Sequence, residues 1–360
     1  MPAPDVAVPQ RLSLVDLTKR FGDELAVDDV NLTVEPGEFL TLLGPSGSGK
    51  STTLNMIAGF VPPSAGTISI GGRPIADTPA HRRDIGVVFQ DYALFPHMTV
   101  FENVAFPLRR RGMRGAELER AVEQALALVR LDGVARRHPR ELSGGQRQRV
   151  ALARAVVFGP GLLLLDEALG ALDRRLREAL QHEIRRIHRE LGVTCVHITH
   201  DQEEALSMSD RVAVMREGRI EQVGRPRELY EEPASLFVAR FVGDANVITG
   251  RYDAAAGPVV AGEGITSPLP ELAWASSGAP VAVVVRPERV RLSEPDARQV
   301  GVGTVRQVAY LGPVRELVVE IDGGASLLVS QPGAGDSPVD VGSRVGVSWE
   351  ADDVVAFAPE

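Results

Sequence analysis

Apolar residues in the first two-thirds of the chain follow two rhythms. Short runs or two-residue alternation mark LSLVDL (12–17), AVDDVNLTV (26–34), FLTLLG (39–44), GTISIGG (66–72), DIGVVF (84–89), LLLLD (162–166), CVHIT (195–199) and RVAVM (211–215). These patterns predict strands. Helical spacing governs AELERAVEQALALVRL (116–131) and DRRLREALQHEIRRIHREL (173–191), where Leu176, Leu180, Ile184, Ile187 and Leu191 share one face. The Arg, Glu and His residues of the latter helix are expected on its solvated side, and Arg109, Arg110 and Arg111 on open surface. Interleaved strands and helices predict an α/β fold over roughly residues 11–240.

After Val242 the pattern changes to short Val-rich strands broken by Gly, Pro, Asp and Ser, among them GTVRQVAYLG (303–312), RELVVEIDGG (315–324), SLLVS (326–330), RVGVSW (344–349) and VVAF (354–357). Regular turn signals between short strands predict a small all-β barrel or sandwich over 243–360. A boundary near 240 follows, and 360 residues suit two domains.

Composition narrows the function. The net charge of −9 argues against general nucleic-acid binding, which needs an excess of phosphate-neutralising side chains. No apolar run approaches the roughly eighteen residues that cross a bilayer, so a soluble, cytoplasmic chain is expected. The single cysteine, Cys195, lies in an alternating strand and is expected to be a packed, inert thiol.

Candidate chemistry begins at GPSGSGKST, the stretch Gly44, Pro45, Ser46, Gly47, Ser48, Gly49, Lys50, Ser51 and Thr52. It stands between an apolar strand and a helix pattern, the context a phosphate-binding loop requires. Its glycines permit turns that point successive N–H groups into one concavity, and the helix start adds a positive dipole end. Lys50 is expected at the β- and γ-phosphates and the Ser51 hydroxyl on Mg²⁺. LLLLDE supplies the complement: four leucines suit a strand buried on both faces, which ends in adjacent carboxylates. Asp166 is placed to hold Mg²⁺, and Glu167 to act as base for water attacking a γ-phosphate.

A second glycine loop, LSGGQRQRVALARA (142–155), enters a helix without a lysine of its own. Together with GPSGSGKST, Gln90 in VVFQDY, LLLLDE, the ALD at 171–173 and His200 in ITHD, it resembles the ATP-binding cassette (ABC) ATPases in motif order and spacing, over about residues 11–235. That resemblance implies a P-loop ATPase with a mixed sheet core and a helical subdomain near 91–160, which uses ATP and Mg²⁺. It implies that Ser143, Gly144, Gly145 and Gln146 close over the γ-phosphate held by a second copy, so that ATP joins a head-to-tail homodimer. Phe21 would stack on adenine, Gln90 would touch Mg²⁺ and the attacking water, His200 would contact the γ-phosphate, and Asp173 would meet the partner copy. Two departures stand beside Glu167: Ala168 where proline is common, and GALD (170–173) where SALD is frequent.

The resemblance further implies the ATPase subunit of a bacterial importer, peripheral at the cytoplasmic membrane face. Its partners would be two integral membrane permeases and a periplasmic or lipid-anchored solute-binding protein, with no nucleic acid. In DYALFPHMTVFENVAFPL (91–108), Tyr92, Leu94, Phe95, Met98 and Phe101 are expected to line a groove for a short permease helix. This stretch looks most like spermidine/putrescine importers, then ferric-iron importers, with sugar and phosphonate importers behind. Residues 243–360, with VVVRPERV (284–291), resemble the accessory (TOBE-type, OB-like) barrel of such importers. A soluble ABC ATPase of DNA or ribosome work fits less well. Only 116 residues separate Lys50 from Asp166, too few for a long inserted coiled coil, and the chain has one cassette.

Overall fold

The computed structural model describes residues 8–167, 174–254, 258–296, 299–333 and 339–359. They belong to two compact units, residues 1–227 and 228–360.

In the first unit β1 (Leu12–Phe21) pairs antiparallel with β2 (Glu24–Val34). Next come β3 (Phe39–Leu43), α1 (Lys50–Ala58), β4 (Ala65–Ile70), the two-residue β5 (Arg73–Pro74) and β6 (Ile85–Val88). A helical stretch follows: α2 (Val100–Arg110), α3 (Gly115–Leu128) and α4 (Gly144–Val156). The unit is completed by β7 (Leu162–Asp166), α5 (Arg174–Leu191), β8 (Thr194–Thr199), α6 (Gln202–Met208), β9 (Arg211–Arg216) and β10 (Arg219–Gly224). Six strands form the central sheet in the order β10-β9-β3-β8-β7-β6, all parallel except β10. An antiparallel sheet, β2-β1-β4-β5, accompanies it.

The four-leucine run is explained by two cores, one on each face of the central sheet. Leu163 and Leu165 join Phe39, Cys195 and the apolar sides of α2 to α5. Leu162 and Leu164 join Leu40, Leu42, Val196, Ile198, α1 and the antiparallel sheet. Successive strand residues point to opposite faces, so a strand covered on both sides has no polar register to keep. Parallel pairing also brings the C-terminal ends of β3, β6, β7 and β8 to one edge, where open α/β sheets hold ligands.

Helix α5 departs from the simple amphipathic expectation. Its Leu180, Ile184 and Ile187 are buried, but so are Glu183 and His188. Glu183 pairs with Arg186 at 2.8 Å and with Arg130 at 3.6 Å, and His188 meets the edge of Phe39 with ring centres 5.2 Å apart. Cys195 is fully buried and its thiol is pushed well above its ordinary pKa by desolvation. Arg109 and Arg110 are exposed; Arg111, also exposed, pairs with Asp84 and lies over the Phe158 ring.

Beside the boundary expected near 240, the compact units divide between 227 and 228. Among the described residues the helices α7 (Pro226–Glu231) and α8 (Leu236–Phe241) precede ten strands, and contacts within the second unit hold them. Arg286 donates to the carbonyls of Tyr230 (2.9 Å), Ala239 (2.9 Å) and Asp244 (3.0 Å), and Leu236 and Ala239 pack on Ala282 and Val284. The strands are β11 (Asn246–Asp253), β12 (Val259–Gly262), β13 (Ile265–Pro268), β14 (Pro280–Val285), β15 (Arg291–Ser293), β16 (Gly301–Tyr310), β17 (Val314–Ile321), β18 (Ser326–Pro332), β19 (Arg344–Ser348) and β20 (Val354–Phe357). They make two antiparallel five-stranded sheets, β13-β12-β11-β14-β20 and β15-β19-β16-β17-β18, around one valine-rich core.

Candidate active site

The turn after β3 builds the phosphate-binding loop. Gly47 and Gly49 take left-handed φ values of 80° and 98°, and Gly49 caps the start of α1. A Cβ on Gly49 would stand 2.6 Å from the Ala26 carbonyl, and one on Gly44 2.4 Å from the Met215 carbonyl. Glycine is therefore required at both positions by close backbone approach. The Lys50 ammonium, buried within the loop, donates to the carbonyls of Gly44 (2.7 Å) and Pro45 (2.9 Å). Desolvation lowers the pKa of Lys50, and the Glu167 carboxylate opposes that shift. A cavity of about 580 Å³ opens above, lined by Phe21, Ser46 to Thr52, Glu167 and also Glu24 and Glu217, which motif reading did not single out. Phe21 is half exposed at its rim, with the Lys19 ammonium 4.8 Å from the ring centre.

Asp166 ends β7, where burial and then the adjacent Glu167 charge raise the pKa of its carboxyl, His197 acting the other way. Two carboxylates side by side in a half-buried place favour a cation between or beside them. Glu167 itself is held at φ 40°, a left-handed conformation strained for a residue with a Cβ, while its N–H donates to the Ile198 carbonyl at 3.1 Å.

Two side chains converge on this glutamate. Gln90 Nε2 donates to Glu167 Oε2 at 3.0 Å, and His200 Nδ1 lies 3.2 Å from Glu167 Oε1. Gln90 arrives from the end of β6 and His200 from the end of β8, so parallel strand pairing brings three predicted catalytic residues into one hydrogen-bonded set.

The backing of His200 went unread in the sequence. Glu204, buried on α6, accepts from the Thr199 hydroxyl at 2.8 Å and has His197 Nε2 at 3.5 Å. The Asp201 N–H donates to Thr199 Oγ1 at 3.0 Å, and the Asp201 carboxylate accepts from Glu204 N–H (3.1 Å) and Arg177 (3.0 Å). Burial would raise the Glu204 pKa, but the His197, Thr199 and Arg177 interactions outweigh it and hold the carboxyl below its usual range. The available signal was a polar Thr-His-Asp-Gln-Glu-Glu run following a buried strand.

At the other glycine loop Ser143 caps α4 reciprocally with Gln146: Ser143 Oγ accepts from Gln146 N–H at 3.3 Å, and Gln146 Oε1 accepts from Ser143 N–H at 3.0 Å. This capping box fixes the helix start and leaves the N–H groups of Gly144 and Gly145 in the first turn, where the dipole favours anions. Ser143 is exposed. Among the described residues it does not line the Lys50 cavity. Asp173, Ala168 and Gly170 lie outside the described residues.

The loop after Gln90 borders an apolar groove of about 340 Å³, lined by Phe89, Ala93, Phe95, Phe106, Phe158 and Arg154 among others. Of the five residues expected to line such a groove, only Phe95 does. Tyr92 is buried in the helical core, and Leu94 and Phe101 pack against it.

Comparison with known proteins joins these features. Residues 27–170 match the family model described as ABC transporter, and residues 283–357 match the TOBE domain. The chain is 46% identical over 349 residues to a spermidine/putrescine import ATP-binding protein of Rubrobacter xylanophilus, covering 95% of this chain and 92% of that one. It is 49% identical over 352 residues to the protein of the same name from Acidothermus cellulolyticus, covering 94% and 91%. The chain belongs to the ABC transporter ATP-binding proteins. Its cassette is similar to the dimeric bacterial ABC transporter cassette MJ0796, with TM-score 0.54 and 36% identity over 60% of this chain and 99% of that one. A second structure of MJ0796, a dimeric post-hydrolysis state bound to ADP and Pi, matches with the same TM-score at 35% identity and the same coverage. The chemistry of this cassette is ATP hydrolysis coupled to transport, carried out by a chain in which no described helix is long and apolar enough to cross a membrane.

Proposed function

We propose that this chain is the ATPase of a bacterial polyamine importer, working as a homodimer on the cytoplasmic membrane face with two permeases and a solute-binding protein. The name shared by its full-length relatives supports spermidine/putrescine as cargo. The observation that carries the chemistry is the convergence of Gln90 and His200 on Glu167, beside the Lys50 loop.

In the proposed reaction the triphosphate of ATP lies along the 44–52 loop, with the adenine against Phe21. Glu167 accepts a proton from water as the water oxygen attacks the γ-phosphorus, and the bond to the ADP oxygen breaks. Gln90 and His200 hold the Glu167 carboxylate from both sides, so its accepting lone pair is aimed without reorganisation. Lys50 supplies positive charge to the β- and γ-phosphates. The donor set of Ser51 hydroxyl, Asp166 carboxylate and Gln90 amide suits Mg²⁺, a hard cation that takes oxygen ligands and neutralises phosphate charge.

The second half of the site comes from another copy. Ser143, Gly144, Gly145 and Gln146 present a hydroxyl and helix-start amides suited to a γ-phosphate, away from the cavity of their own chain. Asp173 is read as meeting the partner at the same seam. The aromatic groove bordered by the loop after Gln90 suits the apolar face of a short permease helix, which would bring the membrane partner within a few residues of the catalytic set.

Uptake of labelled putrescine in a strain lacking this gene, restored by the wild-type chain and not by Glu167→Gln, is the expected result. Restoration of ferric-iron uptake with no effect on putrescine would overturn the cargo. Restoration by Glu167→Gln would overturn the catalytic assignment.

A further inference from the structure

The Gln90 loop carries a feature that water activation alone does not use. Two and three residues past Gln90, Tyr92 and Ala93 both stand in the left-handed region, at φ 63° and 41°. Consecutive residues with a Cβ in that region are strained, and such strain persists only where surrounding contacts impose it.

Here the contacts come largely from one side chain. Arg154 Nη1 donates to the Ala93 carbonyl at 2.7 Å, and Nη2 donates to the Tyr92 carbonyl at 2.9 Å. The loop closes on itself around that fork: Tyr92 N–H donates to the Phe89 carbonyl at 2.9 Å, and Ala93 N–H to Asp91 Oδ1 at 3.1 Å. The guanidinium carbon lies 5.6 Å from the centre of the Phe95 ring, at the wall of the aromatic groove. A guanidinium offers two donors in a fixed plane, so one arginine can set the relative orientation of two successive carbonyls. Arg154 also belongs to α4, whose first turn is capped by Ser143. Groove wall, Gln90 loop and signature helix therefore meet at one group.

We propose that Arg154 is a positioning residue for hydrolysis: it holds Tyr92 and Ala93 in their left-handed form and thereby keeps Gln90 on Glu167. This deepens the proposed function and rests on its reading of Gln90 and Glu167 as the groups that handle the attacking water. A segment docked against Ala93 or Phe95 would press on the two carbonyls that Arg154 grips.

The test compares full-length wild type, Arg154→Gln, Arg154→Lys, Arg154→Gln with Ala93→Gly, and Gln90→Ala, measuring kcat for ATP hydrolysis and Kd for a fluorescent ATP analogue. Arg154→Gln is expected to lower kcat by about ten- to hundredfold, the scale of a small misplacement at a reacting centre, with Kd held within about twofold because uniform binding is untouched. Arg154→Lys, which keeps the charge and one reach to a carbonyl, should fall between. Ala93→Gly in the Arg154→Gln background should recover kcat, because glycine takes a positive φ without strain. That recovery separates positioning from simple stability. Should Arg154→Gln fold poorly, the lysine and double variants carry the same comparison. Wild-type turnover by Arg154→Gln alongside a slow Gln90→Ala overturns the inference alone, as does a double variant that regains thermal stability without kcat. Wild-type turnover by Gln90→Ala removes the underlying reading, and the inference with it.

Discussion

Gln90 and His200 reach the same carboxylate on backbones of opposite character. The Gln90 arm is strained: Tyr92 and Ala93 sit left-handed, and their carbonyls are gripped from a separate helix by Arg154. The His200 arm has no left-handed residue between Thr199 and Asp201. It is anchored from below by buried Glu204, which ties Thr199 to the start of α6. One arm borders an aromatic groove, while the other rises from the centre of the parallel sheet. The difference assigns their parts. The Gln90 arm carries backbone strain that contacts from another helix must hold, whereas the His200 arm is tied down by a buried, hydrogen-bonded carboxylate. Glu167 stands where a strained arm and an unstrained one meet.

The largest effect that bears on this comparison is loss of the shared target. Glu167→Gln should reduce steady-state phosphate release by at least about a hundredfold, the scale of a lost general base, while ATP binding persists. Turnover near wild type would leave both arms without an object. Next, Gln90→Ala and His200→Ala should each be slow, and the double variant much less slow than the product of the single effects. Residues that act through one group are not additive; full additivity in kcat would show two independent tasks.

A smaller effect separates anchored from strained. Thr199→Val keeps shape but leaves Glu204 without its hydroxyl donor, which should lower stability by about 1–3 kcal/mol in denaturant titration. Arg154→Lys should alter kcat more than stability. Equal stability losses in the two variants would erase the distinction between the arms.

The smallest effect lies in the other unit and serves as a control. Tyr230, whose hydroxyl donates to Glu288 at 2.8 Å, has its pKa raised to about 12, by burial and then by that carboxylate. An acid with a raised folded-state pKa contributes stability that is complete below its unfolded value near 10 and is lost as pH rises toward about 12. Tyr230→Phe should flatten the alkaline unfolding of the second unit in that window and leave kcat at neutral pH unchanged. An unaltered alkaline limb would remove Tyr230 as its source.

What the sequence disclosed follows the physics of each element. LLLLDE announced a doubly covered strand because burial on both faces demands an unbroken apolar run, and Leu162 to Leu165 do alternate between the two cores. GPSGSGKST was legible because only glycine tolerates the approach of Ala26 and Met215 carbonyls at Gly49 and Gly44. Tyr92 was expected in the groove and instead turns into the helical core, against which Phe101 packs, since apolar character alone does not fix direction. His188 and Glu183 were expected in solvent because period-3.6 spacing marks a helix's apolar side but not how far neighbouring elements wrap around it. Strand β10 escaped notice: Arg219, Glu221 and Gln222 give it no apolar pattern, and it forms by hairpin pairing to β9. Arg154 was placed on a helix by its pattern, but the carbonyls it grips lie about sixty residues away in sequence and become visible only in three dimensions.

The most direct test of the account is sedimentation velocity of the Glu167→Gln chain with ATP, alone and combined with Ser143→Arg. The account predicts a dimer with ATP and a monomer with ADP for the single variant, and a monomer under both conditions once Ser143→Arg blocks the second half-site, with ATP still bound. A Glu167→Gln chain that stays monomeric in saturating ATP, or a Ser143→Arg chain that dimerises as readily, would contradict it.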